Sequence, residues 1–104
     1  MGDEIKGVQV KKRRALEGVR IADFSWVVTG PAAMKFVANL GAEVIRIESN
    51  ARPDFLRYTT PCKDDELGIN RSGLFTLFND SKYSITLNLK MPKAREAARR
   101  IVYE

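Results

Sequence analysis

Four features of the sequence have side chains whose type and setting could do chemistry. Lys90 follows an alternating apolar segment and could neutralise a phosphate, or it could simply be an exposed lysine near a helix start. Cys62 stands between Pro61 and Lys63, and a neighbouring cation can favour a thiolate. Without a histidine or a second cysteine to activate it, an inert or merely modifiable thiol is the simpler reading. Asp64-Asp65-Glu66 could hold a hard cation, although three adjacent carboxylates in a loop are usually just solvated. Trp26 is the only tryptophan and could stack on a ligand, or serve as a partly buried packing residue.

The chain has 104 residues and no histidine, which removes Ser–His–Asp and Cys–His catalysis and His-ligated zinc or haem. A single cysteine cannot build a Cys₄ zinc site or an iron–sulfur cluster, so no metal ligand is assigned. It cannot form an internal disulfide either, which fits a reducing cytoplasm. What remains is carboxylate, lysine or backbone-dipole chemistry, or binding alone. No apolar run approaches the ~20 residues of a membrane span, and no signal-peptide core follows the basic start, so no membrane partner is expected.

The net charge is +5, from 18 basic and 13 acidic residues. Residues 1–15 hold five basic groups (Lys6, Lys11, Lys12, Arg13, Arg14) against Asp3 and Glu4, a net of +3. Residues 16–104 are left with +2, so most of the excess belongs to a flexible basic leader. Lys11-Lys12-Arg13-Arg14 could touch nucleic acid, but no second basic cluster with interleaved aromatics supports it. A solvated leader is the simpler reading, and no nucleic-acid partner is assigned.

The elements that would position a site follow in order. Val19–Phe24 reads as a strand, and Ser25–Gly30 as a loop leading to Pro31, which suits a helix start. Over 31–40, Ala33, Phe36, Val37 and Leu40 share one helical stripe, and Gly41 is suited to stop the helix. Glu43–Glu48 is a second strand, and 49–70 is an irregular stretch with two prolines. Arg71–Asn79 has a short apolar helical face, with Asn70 or Ser72 available as its cap. Tyr83–Leu89 alternates cleanly as a strand, and Pro92 opens a helix striped by Ala94, Ala97, Ala98, Ile101 and Val102.

The order β-α-β-loop-α-β-α implies an α/β fold: a Rossmann-like parallel three-stranded sheet flanked by helices. Three strands make a thin sheet and the last helix meets no stop signal. The expectation is therefore an N-terminal part, residues 16–104, truncated from a larger doubly wound domain. Such sheets bind ligands at the carboxyl ends of their strands. Here that edge comprises Ser25–Pro31, the segment from Ser49, and Asn88-Leu89-Lys90. There is no GxGxxG and no GxxxxGK(S/T), which argues against the usual dinucleotide-phosphate cradles.

Several of these segments, taken in order, resemble the opening of the class III CoA-transferases, the CaiB–BaiF group. Leu16–Phe24, Gly30-Pro31 and Leu40–Glu48 are similar to the family's L-x-G-x-R-V-L-D, A-G-P and L-G-A-(DE)-V-I-K-(VI)-E. Asn70–Gly73, Phe78-Asn79 and Lys82–Lys90 resemble its N-R-x-K-R-S-I-x-L-D-L-K region, and Pro92–Arg100 parallels its P-x-(GA)-R-E helix. The resemblance spans residues 16–104.

The resemblance implies an enzyme that moves CoA from an acyl-CoA donor to a small carboxylic acid acceptor. Its nucleophile would be an aspartate that passes through an aspartyl-CoA thioester, which is carboxylate covalent catalysis needing no histidine. That aspartate matches no residue of this chain, so no catalytic residue is assigned and no turnover by the chain alone is expected. The resemblance also implies an interlocked homodimer, with coenzyme A as the only cofactor. The CoA-binding positions carried over are Val27, Val28, Ser49, Leu87, Asn88, Leu89 and Lys90. Leu87–Lys90 would meet the adenosine end, with Lys90 at the phosphates, and Val27-Val28 would face the thioester. In some relatives Val28 is a glutamine and Ser49 an arginine, while Asn88 replaces the family's aspartate. A different class of reading is a standalone, non-catalytic CoA- or nucleotide-binding α/β module.

Overall fold

A computed structural model describes residues 4–5, 7–9 and 11–104. Two short antiparallel strands, β1 (Glu4–Ile5) and β2 (Val8–Gln9), fall within the expected leader, and Lys6 lies outside the described residues. The main sheet has three parallel strands, β3 (Arg20–Asp23), β4 (Glu43–Glu48) and β5 (Tyr83–Thr86), with β4 in the centre. Ile21 stands opposite Val44, and Ile47 opposite Ile85. Helices α1 (Thr29–Asn39), α2 (Gly73–Asn79) and α3 (Pro92–Tyr103) complete the α/β architecture.

The central strand has the run EVIRIE, and Val44, Arg46, Ile47 and Glu48 are all buried. A parallel strand covered on both faces is expected to be apolar throughout, so Arg46 and Glu48 are the exceptions to explain. Val44 packs with Ala38 and Ala42, surrounded by Leu16, Ile21, Met34 and Val37, and this cluster is the core beneath α1. On the other face, Ile45 and the α3 residues Ala97 and Ile101 line a shallow groove.

Helix α1 starts at Thr29, two residues earlier than the position of Pro31 suggests, and its buried face is not the expected stripe. Pro31 and Ala38 are buried, with Met34 and Val37 against the core, whereas Phe36 is 67% exposed and Leu40 39%. Small side chains let a crossover helix lie close on its sheet, and that close approach outweighs the hydrophobicity of Phe36. Gly41 does end α1: its φ is +108°, and a Cβ there would come within 2.7 Å of the Arg14 Cβ. Of the two possible caps for α2, Ser72 is the one used, its Oγ accepting the Phe75 N–H at 3.2 Å.

Strand β5 stops at Thr86 rather than Leu89. The Leu87 N–H still donates to the Glu48 carbonyl at 2.9 Å. Beyond it Asn88 turns the chain, its Oδ1 accepting the Lys90 N–H and its carbonyl accepting the Met91 N–H. An Asx side chain that captures the backbone two residues on competes with a sheet ladder, and that ends the strand. The stretch 49–70 contains two 3₁₀ segments, Phe55–Tyr58 and Lys63–Asp65.

Candidate functional site

Three connections leave the carboxyl edge of the sheet: 24–28 after β3, 49–54 after β4 and 87–91 after β5. The parallel order thus gathers every residue expected from the sequence to meet a ligand. Val27 and Val28 are each 40% exposed just ahead of α1. Ser49 is half-buried, its Oγ accepting the Ala51 N–H at 3.1 Å, and its neighbour Glu48 holds Leu87. Leu87 and Asn88 are half-buried, while Leu89 and Lys90 are exposed. The carbonyls of Leu89 and Lys90 both accept from Arg95 Nη1 at 3.0 Å, tying this turn to the first turns of α3.

Trp26 is half-buried in the first connection, with the Arg52 guanidinium 5.0 Å from its ring centroid. The start of α1 packs tightly on this loop: a Cβ on Gly30 would come within 2.3 Å of the Ser25 Cβ, so only glycine fits. The other reactive candidates lie elsewhere. Cys62 is half-buried and donates from Sγ to the Thr59 carbonyl at 3.2 Å. Asp64 and Glu66 are exposed and pair with Arg71 at 3.1 and 3.2 Å. Among the described residues, no three His, Cys, Asp or Glu side chains gather as a metal ion would need.

Directly beneath the edge lies a cluster that local sequence patterns do not single out. Asp23, Arg46, Glu48 and Asp54 are buried, and Arg57 and Lys82 join them as cations. Arg46 donates to Glu48 at 2.6 Å and to Asp54 at 2.5 Å. Arg57 donates through Nε and Nη2 to the two Glu48 oxygens, each at 2.7 Å, and its guanidinium lies 3.7 Å above the Phe75 ring. The Lys82 ammonium donates to Asp23 at 3.1 Å, to the Pro31 carbonyl at 2.9 Å and to Asn79 Oδ1 at 3.0 Å. Three cations therefore match three carboxylates, the condition under which buried charge is tolerated.

Electrostatics follow from these contacts. Burial disfavours the charged form of Glu48, but the Arg57 hydrogen bonds, the Asp54 N–H and the Arg46 and Arg57 charges outweigh it. They hold its carboxyl at about 2, against an ordinary 4.5. Burial pulls the Lys82 ammonium below its usual 10.5, and Asp23 limits the fall. The signal in the sequence was the spacing of Arg46 and Glu48: two apart on a central strand, they share the face of buried Val44.

The cluster reaches the first connection at two points. Asp23 Oδ1 accepts from the Ser25 N–H at 2.9 Å and from its hydroxyl. Both Asp54 oxygens accept from the Val27 N–H at 3.3 Å, and Oδ1 also accepts from Leu56 N–H at 3.0 Å.

A groove of about 1290 Å³ lies at the opposite edge, lined by Val19, Arg20, Glu43, Tyr83 and the end of α3. None of the expected ligand residues line it. In open α/β sheets it is the carboxyl edge that binds ligands, and the carboxyl edge is taken here as the candidate site.

Residues 16–104 match the sequence profile of CoA-transferase family III. The chain belongs to that family. It is 39% identical to formyl-CoA:oxalate CoA-transferase of Bradyrhizobium sp. (strain ORS 278), over 86% of this chain and 20% of that protein. It is 38% identical to cinnamoyl-CoA:phenyllactate CoA-transferase of Clostridium sporogenes, over 84% of this chain and 21% of that one. Its structure superposes on a CAIB/BAIF family protein from Brucella suis with a TM-score of 0.73 and 28% identity, covering 88% of this chain and 24% of that chain. The chain thus spans about a fifth of the length of the curated relatives it matches. No helix among the described residues is long and apolar enough to cross a membrane.

Proposed function

We propose that this chain forms the CoA-binding edge of a family III CoA-transferase. That enzyme carries CoA from an acyl-CoA to a small carboxylic acid through an aspartyl-CoA thioester. The reading rests on one observation: the parallel sheet gathers Val27-Val28, Ser49 and Leu87–Lys90 at a single edge. Lys90 supplies an exposed cation for the phosphates, and Leu87 to Leu89 form the turn on which the adenosine end rests. Val27 and Val28 present apolar side chains toward the thioester, ahead of the free N–H groups of α1. No residue of this chain acts as nucleophile, so the chain by itself turns over no substrate. The complete active site is that of a cytoplasmic, interlocked homodimer.

The test is a titration of the isotope-labelled chain with coenzyme A, followed through its amide shifts. Shifts confined to Val27, Val28, Ser49 and Leu87–Lys90 are expected. A flat response up to millimolar CoA overturns the reading for this chain, and shifts clustered on Val19, Arg20 and Glu43 move the site to the opposite groove.

A further inference from the structure

We infer that Asp54 is a positioning residue, holding the Val27–Val28 connection in the shape that presents both valines at the candidate site. The significance for ligand binding rests on the proposed CoA site; the positioning itself does not.

Val27 has φ +65°, in the left-handed region. A β-branched residue is a genuine outlier there and persists only where the surroundings impose it. The surroundings contain one such agent. Asp54 is fully buried, and both its oxygens receive the Val27 N–H across 27 residues of sequence. The same carboxylate caps the 3₁₀ segment Phe55–Tyr58 through Leu56 N–H and is held by Arg46 Nη2. It therefore cannot follow the loop if the loop relaxes. Arg46 is fixed in turn by Glu48, and Glu48 by both Arg57 and the Asp54 N–H at 2.7 Å. At its other end the connection is anchored by Asp23, which takes the Ser25 N–H and is itself fixed by Lys82. Two carboxylates, each neutralised by its own cation, thus grip the backbone on either side of Trp26 and leave Val27 and Val28 outward.

The experiment uses Asp54→Asn and the double variant Asp54→Asn/Val27→Gly, read by amide shifts and by the intraresidue HN–Hα Overhauser effect that marks a positive φ. In D54N the strong effect at Val27 is expected to weaken to that of a negative φ, and residues 25–28 to broaden, while the amides of β3 and β5 keep their shifts and changes in β4 stay local to Arg46 and Glu48. Glycine adopts positive φ unaided, so the double variant is expected to recover the wild-type pattern over 25–28. A purely structural Asp54 predicts no such rescue. Unchanged loop signals in D54N overturn the inference.

If D54N does not fold, the double variant decides: folded with the loop pattern intact it supports the inference, and equally unfolded it overturns it. Coenzyme A binding to a folded D54N is expected to be about tenfold weaker than to the wild type, the loss of one charge-assisted hydrogen bond. Should the wild-type chain not bind CoA, the proposed function fails, and the Overhauser readout still judges the positioning.

Discussion

Strand β4 carries an acid–base pair at each end. At its start Glu43 meets Arg20 of β3 at 3.2 Å, with both side chains about half exposed. At its finish Arg46 meets Glu48 at 2.6 Å, with side chains 1% and 8% exposed. The pairs share chemistry and differ in solvent. Water screens the first, so each partner loses little if the other is removed. The second has no water to fall back on, and each charge there is tolerable only because the others are present. The amino edge can therefore vary freely, whereas the carboxyl edge is one interdependent unit, and the connections of the candidate site hang from it.

The sharpest way to break this contrast is Arg46→Met, which leaves Asp54 without its cation and Glu48 with Arg57 alone. A loss of about 3–5 kcal/mol of unfolding free energy is expected, the usual cost of stranding buried charge. A loss under 1 kcal/mol, measured by chemical denaturation, would mean the charges do not depend on one another.

Acid should strike the same edge next. The folded-state value of Glu48, about 2, lies below its unfolded value of 4.5. Its stabilisation is therefore complete above about pH 4.5 and lost as pH falls through about 2. The contribution is about 3 kcal/mol, at 1.36 kcal/mol per unit. Denaturation curves from pH 6 to 2 on the wild type and Glu48→Gln check this, since the variant should lack that share of the slope. The smallest effect is expected at the other end: Glu43→Gln should change stability by no more than about 0.5 kcal/mol. A larger loss there would erase the distinction between the two edges.

The contrast also explains what the sequence made legible. The strand Glu43–Glu48 was readable to the residue, because its β-branched Val44, Ile45 and Ile47 fall between Gly41 and the irregular stretch from Ser49. The order of elements was readable too, and with it the edge where the connections gather. The buried face of α1 was not, because apolar side chains occur all around that helix and Ala38, not Phe36, fits against the sheet. The charged cluster escaped for a different reason. Charge normally signals solvent, and its exceptions depend on partners distant in sequence, such as Asp23 with Lys82. Asp54 and Arg57 looked like ordinary loop residues after Pro53 until the fold brought them to Arg46 and Glu48.

A lattice of three cations and three buried carboxylates also constrains how this sequence can drift. Any single neutralising exchange strands a partner, so the first step of a two-step replacement is penalised and the second restores what was lost. Such couplings make the effect of a substitution depend on its background. Arg46, Glu48, Asp54 and Arg57 should therefore change together or not at all, whereas Arg20 and Glu43 are free to change one at a time.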